Sequence, residues 1–95
     1  MGNDQSVMKA LSDKTRREIL VLLKKEGRMA AGDIANKFEM TQATVSHHLS
    51  VLDEAGLIND EKVGKYIYYE INTTILQDLL QWLVGLTSGG DKNEK

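Results

Sequence analysis

The stretch Thr41-Gln-Ala-Thr-Val-Ser-His-His-Leu-Ser-Val-Leu-Asp-Glu-Ala-Gly-Leu-Ile58 constrains the fold more than any other part of the chain. Val45, Leu49 and Leu52 recur at helical spacing, Thr41 can cap the start, and Gly56 closes the end. A shorter helical pattern, Asp33-Ile-Ala-Asn-Lys-Phe38, precedes it across Glu39-Met40-Thr41. Two helices joined by so short a turn, the second with small hydrogen-bonding side chains on its open face, predict a helix-turn-helix. Asn59-Asp-Glu-Lys-Val-Gly-Lys-Tyr-Ile-Tyr-Tyr-Glu-Ile71 follows with hairpin character. Together they predict a winged helix-turn-helix: mainly α with a small β-hairpin (α+β).

The remaining elements follow from caps and periodicity. Ser6 can cap a helix over about 6–12 carrying Val7, Met8 and Leu11. Ser12-Asp13 offers the next cap, for a helix over about 14–26 with Ile19, Leu20 and Leu23 inward and Leu22 on the flank. Lys24 and Lys25 suit its negative end, and Gly27 ends it. Met29 begins a brief extended segment. The third helix, about 31–38, buries Ile34, Ala35 and Phe38, and the fourth spans about 42–55. In the hairpin, about 58–71, Ile67, Tyr69 and Ile71 alternate with Tyr66, Tyr68 and Glu70, and Gly64 makes the turn. The last helix spans about 73–87, with Thr74 and Gln77 at capping-box spacing. We expect a single domain over 1–95, with flexible ends at 1–5 and 88–95.

Small size makes association worth expecting, because a chain of 95 residues has a limited core. Ile75, Leu76, Leu79, Leu80, Leu83 and Leu86, widened by Trp82, form a stripe broader than one small domain can cover. Its expected partner is the same helix from a second copy, together with Val7, Met8 and Leu11. The helices over 6–12 and 73–87 are therefore the expected dimerisation elements. A two-fold dimer sets its two reading helices about 34 Å apart and predicts an inverted-repeat operator in double-stranded DNA.

The fourth helix carries the candidate base-reading side chains. With Val45, Leu49 and Leu52 inward, its open side presents Gln42, Ala43, Ser46, His47 and Ser50, with Thr41 and Thr44 at the first turn. Gln can pair bidentately with adenine, Ser and Thr serve several bases, and Ala can meet the thymine methyl. The bland alternative is a solvated polar face, but such faces favour Lys and Glu, which the first three turns lack. His47 lies on the open side. His48 lies at the edge of the seam, where a ring bonded to a backbone carbonyl is the favoured role. Lys62 and Lys65 flank the hairpin tip, suited either to phosphate or to blunting an exposed edge. Arg16 and Arg17 suit phosphate contact or pairing with Asp13 and Glu18.

Charge tempers this without reversing it. Residues 1–40 carry eight basic and six acidic groups, and residues 41–95 four and eight, for a net charge of −2. Phosphate contact depends on local rather than total potential, so weak nonspecific binding and strong dependence on base contacts are expected. The acidic balance also suits a winged-helix protein–protein interaction module, with Tyr66 and Tyr68 as a docking patch. No Gly-rich phosphate loop, carboxylate cluster or nucleophile–base pair supports an enzyme, and no small-molecule substrate or cofactor is implied. The absence of cysteine excludes disulfides and fits a cytoplasmic setting. No apolar run approaches a membrane span. Met1-Gly-Asn-Asp-Gln-Ser6 fits the loose myristoylation pattern, which we discount.

Three segments resemble signatures of the ArsR-type winged-helix repressors, in family order: Leu11-Ser-Asp-Lys-Thr-Arg-Arg-Glu-Ile-Leu20, Thr44-Val-Ser-His-His-Leu-Ser-Val-Leu-Asp-Glu-Ala-Gly-Leu-Ile58 and Gly64-Lys-Tyr-Ile-Tyr-Tyr69. The likeness spans about residues 6–86. Asn72-Thr-Thr-Ile-Leu-Gln-Asp-Leu-Leu-Gln-Trp82 is similar to the SdpR-like autorepressor branch, whose members accompany membrane immunity-type proteins. The resemblance thus implies a DNA-binding homodimer that represses its own gene, with a sequestering membrane protein as a further partner. Lys14 and Ala43 stand where the family often has proline, Ala30 where it has a threonine cap, and Ser50 and Asp53 where it has basic residues. Many members sense metals through cysteine pairs or through Asp/His/Glu sets on the last helix. This chain has no cysteine, adjacent His47 and His48 as its histidines, and a lone Asp78 on that helix. No zinc or soft-metal site assembles from these residues.

Overall fold

A computed structural model describes residues 4–88. In chain order the elements are α1 (Asp4–Leu11), α2 (Lys14–Glu26), β1 (Met29–Ala30), α3 (Ala31–Phe38), α4 (Gln42–Glu54), β2 (Ile58–Val63), β3 (Tyr66–Ile71) and α5 (Thr74–Thr87). The sheet is antiparallel in the order β1-β3-β2. Among the described residues, five helices and a three-stranded sheet give the expected winged helix. The brief extended segment at Met29 is a real strand: Met29 pairs with Tyr69 and Ala30 with Tyr68.

The core lies where α2, α3 and α4 meet under the base of the wing. Ile19, Leu20 and Leu23 enter from α2, Ile34 and Ala35 from α3, and Val45, Leu49 and Leu52 from α4. Leu57 and Ile58 close it from below. These are the residues whose spacing sets one apolar stripe per helix. Phe38, expected inside, is only half-buried, because α3 ends there and its last turn faces the connecting loop.

Local chemistry sets the ends. Asp13 caps α2 by accepting the Arg16 N–H at 3.2 Å, and Thr41 caps α4 by accepting the Thr44 N–H at 3.2 Å. α3 starts at Ala30 without a side-chain cap. α4 stops one residue short of the expected end, where Gly56 turns left-handed (φ 79°) and Leu57 N–H returns to Leu52 O at 3.0 Å. Gly64 (φ 63°) closes the two-residue wing turn between Val63 and Tyr66.

Several expectations need correction. α1 already includes Asp4, so Ser6 lies inside the helix rather than at its cap. The capping box expected at Thr74 and Gln77 does not form, and the N-cap Thr73 makes no side-chain cap bond. Asn72 Oδ1 accepts the Thr74 N–H at 3.0 Å, and Gln77 Nε2 reaches Thr73 Oγ1 at 3.5 Å. Ile67 is exposed although Ile71, on the same face, is half-buried, because the outer half of β3 runs beyond the core. The expected flexible ends lie largely outside the described residues.

Candidate nucleic-acid interface

α4 presents one buried and one open side. Val45, Leu49 and Leu52 are inaccessible, while Gln42, Ala43, Thr44, Ser46, His47 and Ser50 are all exposed. Thr41 precedes them, and its hydroxyl donates to Thr44 Oγ1 at 2.9 Å, so the two threonines are oriented by each other. The seam fixes the rotation of the helix, and so the open side is a rigid row of short polar groups.

The wing stands beside it. Lys62 and Lys65 are exposed near the tip, and the Lys65 ammonium lies 5.6 Å from the centre of the Tyr66 ring. At the base, Arg28 stacks 4.8 Å from the centre of the Tyr68 ring and pairs with Glu61 of β2. Tyr68, expected to be open, is thereby half-covered. Sequence reasoning misses Arg28, because its partners lie across a strand pairing that no local pattern announces.

Two predicted site residues sit differently from expectation. Arg16 does not project to solvent: it is 8 % exposed, with Nε on Ala10 O and Nη2 on Lys9 O, each at 2.9 Å. Phosphate contact and pairing with Asp13 or Glu18 both give way to this inward arrangement, the last carbonyls of α1 being an attractive partner for a buried cation. His48 is half-buried as expected, but its Nδ1 meets Arg16 Nη1 at 3.3 Å rather than a backbone carbonyl. The signal is present in the sequence: Arg16 precedes Ile19, Leu20 and Leu23 by three, four and seven residues and so belongs to their stripe.

At the foot of α4 the electrostatics reverse sign. Burial pushes the Asp53 carboxyl up to about 6, helped by a hydrogen bond to Asp60 and by the charges of Asp60 and Glu54. Burial and the same two aspartates also raise the Tyr69 hydroxyl. An open groove between α4 and β3 runs from Ser46 and Ser50 down to Asp53, Glu54 and Tyr69.

α5 is the other unusual surface. Ile75, Leu76 and Leu79 pack on the core, yet no residue of this helix is buried. Leu80, Trp82, Leu83, Val84 and Leu86 stay exposed, as does Met8 of α1. Among the expected dimer residues Leu11 is half-buried in its own chain, and Val7, 5 % exposed, belongs to the core. Val7 is unavailable to a partner because it lies on the side of α1 that Ala10 presses inward.

Residues 13–60, spanning both helices of the helix-turn-helix, match the family described as bacterial regulatory protein, arsR family. The chain belongs to the ArsR family. It is 48% identical over 88 residues to the transcriptional repressor SdpR of Bacillus subtilis (strain 168), an alignment covering 93% of this chain and 97% of that one. A solved ArsR-like transcriptional regulator from Rhodococcus sp. RHA1 superposes with a TM-score of 0.82 at 31% identity, over 88% of this chain and 76% of that one. The homodimeric winged helix-turn-helix DNA-binding domain of a possible ArsR-family regulator from Mycobacterium bovis gives 0.71 at 27%, covering 96% and 84%.

The chain lacks cysteine, its two histidine rings are 5.9 Å apart on adjacent positions, and among the described residues no three His, Cys, Asp or Glu side chains converge. Among the described residues, no helix is long and apolar enough to cross a membrane.

Proposed function

We propose that this chain is a sequence-specific transcriptional repressor that binds an inverted-repeat operator as a homodimer. The observation that carries the reading is the α4 side Gln42, Ala43, Thr44, Ser46, His47 and Ser50, exposed as one row by a fully buried seam. Small groups in such a row let a helix sit deep in the major groove and read base edges. Thr41 at the cap and Lys62 and Lys65 on the wing supply the adjoining contacts. Arg16 is left out of this set, its guanidinium being committed inside the chain.

The dimer reading rests on the apolar surface of α5. Leu80, Trp82 and Leu83, with Met8 of α1, are too much exposed apolar area for a lone chain of this size. The two-fold partner that covers them also places two α4 helices on successive turns of DNA. The name of the Bacillus relative, a transcriptional repressor, and the homodimeric state of the Mycobacterium domain support the same assignment.

We assign the control of release to something other than metal. The donor inventory leaves protein sequestration, of which the SdpR-like resemblance suggests a membrane immunity-type protein as agent, or the chain's own concentration acting on its own gene. A cytoplasmic, single-domain regulator fits both.

Fluorescence-anisotropy titration against the DNA upstream of the chain's own gene, beside a random duplex, tests the proposal. Tight binding at two protomers per inverted repeat supports it. Affinity no better than for the random duplex, with capture of a protein partner, favours the winged-helix interaction module suggested by the net charge of −2.

A further inference from the structure

Arg16 is the one charged residue in the described interior, and it touches three parts of the fold at once. Its Nε and Nη2 hold the carbonyls of Ala10 and Lys9, the end of α1. Its Nη1 holds Nδ1 of His48, in the middle of α4. The end of α1 is secured further by Ser12 Oγ on Lys9 O and Arg17 Nη1 on Leu11 O, each at 2.7 Å. A guanidinium has no acceptor, so the contact at 3.3 Å is a hydrogen bond when Nδ1 is the accepting nitrogen of the ring. Asp13 accepts the Arg16 backbone N–H at 3.2 Å and so holds the same turn of α2.

We propose that Arg16 and His48 are positioning residues that tie the end of α1 to the reading helix and thereby set the angle at which α4 meets DNA. The inference rests on the repressor reading above. α1 carries Met8 toward the proposed partner, whereas α4 carries the base-reading row; apolar packing sets the rotation and depth of α4 on its seam, and the polar tie from α1 is added to it. The directional restraint is the Arg16–His48 bond, formed from the side of α4 next to His47. A shift of the dimer element therefore reaches the reading helix through this bond as well as through the packing of Val7 and Ala10 in the shared core. Specific binding, which depends on alignment of base contacts, is the property it controls, while nonspecific binding depends on phosphate charge alone.

The test compares His48→Leu, which removes the acceptor, with His48→Gln, whose amide oxygen accepts the same guanidinium bond. Operator and random-duplex affinity, thermal midpoint and dimer constant are measured for each. We expect His48→Leu to weaken operator binding about tenfold, with random-duplex affinity and dimer constant held and the thermal midpoint lowered by the unpaired guanidinium N–H. His48→Gln should recover most of the operator affinity. Equal operator affinity in His48→Leu and the parent, a parallel fall in operator and random-duplex affinity, or failure of His48→Gln to recover would each overturn the proposal. Nitrogen-15 NMR of the unbound parent separates this from the repressor reading. An unprotonated Nδ1 on His48 that changes in Arg16→Lys supports the link whatever DNA is bound; a protonated Nδ1 refutes it. A parent that shows no operator preference refutes the repressor reading and, with it, the proposed role in DNA binding.

Discussion

Asp53, near the end of α4, faces Asp60 at the start of the wing, so two carboxyls of like charge meet at the joint between reading helix and hairpin. Burial adds to this and pushes Asp53 up to about 6. The joint is thus strongest when one proton is shared and weakest when both groups are charged. Since Ser50 stands one turn away on the same helix, the joint bears on the orientation of the reading side.

The pH consequence has a definite sign. A carboxyl raised from 3.8 to about 6 binds its proton more tightly folded than unfolded. Its favourable share is therefore complete below pH 3.8 and is lost as pH rises to about 6. Asp53→Asn keeps the donor to Asp60 and removes one charge. We predict a higher thermal midpoint for Asp53→Asn at pH 7.5 and little difference at pH 4.5, read by circular-dichroism melting.

Glu39 ends α3 with φ 55°, left-handed for a residue that is not glycine. The geometry follows from the short turn, where Glu39 N–H returns to Asn36 O and Met40 N–H to Ala35 O, both at 3.3 Å. Left-handed backbone costs a side-chain-bearing residue about 1–2 kcal/mol, part of which glycine gives back as chain entropy. Glu39→Gly should stabilise the domain by about 0.5–1 kcal/mol, measured by urea titration with an unchanged m-value.

On the wing, Lys62 and Lys65 are assigned to phosphate. Alanine at both positions should weaken operator and random-duplex binding alike. It should also flatten the log affinity against log salt slope by roughly 0.9 for each phosphate no longer neutralised. Anisotropy at several salt concentrations gives the slope. An unchanged slope would make the lysines edge-blunting groups instead.

Leu80 is 59% exposed in the single chain, so a charge there costs little folding stability. In the proposed dimer it is covered. Leu80→Glu should leave the helical circular-dichroism spectrum intact while sedimentation shows monomer at concentrations where the parent is dimeric. Operator affinity should fall with it, because each half-site is then bound alone.

Much of the fold is legible in the amino-acid sequence. Val45, Leu49 and Leu52 settle both the existence of α4 and its open side, because three- and four-residue spacing leaves a single inward direction. The hairpin follows from the alternation after Gly64. Less legible are features formed by residues far apart in sequence. Arg28 meets Glu61 and Tyr68 only once β1 pairs with β3, and the Asp53–Asp60 joint needs the turn at Gly56. Arg16 is different: its position in the α2 stripe marks it as inward, but the usual preference of arginine for solvent points the other way. Val7 likewise shares its side of α1 with Ala10, yet an apolar residue on so short a helix suits a partner's surface as well as its own core.

The central claim is that the open side of α4 reads bases, and the most direct measurement is operator and random-duplex affinity of Gln42→Ala/Ser46→Ala beside the parent. Removing one bidentate pairing to a base costs about 1–3 kcal/mol. The account predicts operator affinity lower by about tenfold or more, random-duplex affinity unchanged, and an intact dimer. Operator affinity equal to that of the parent would contradict it.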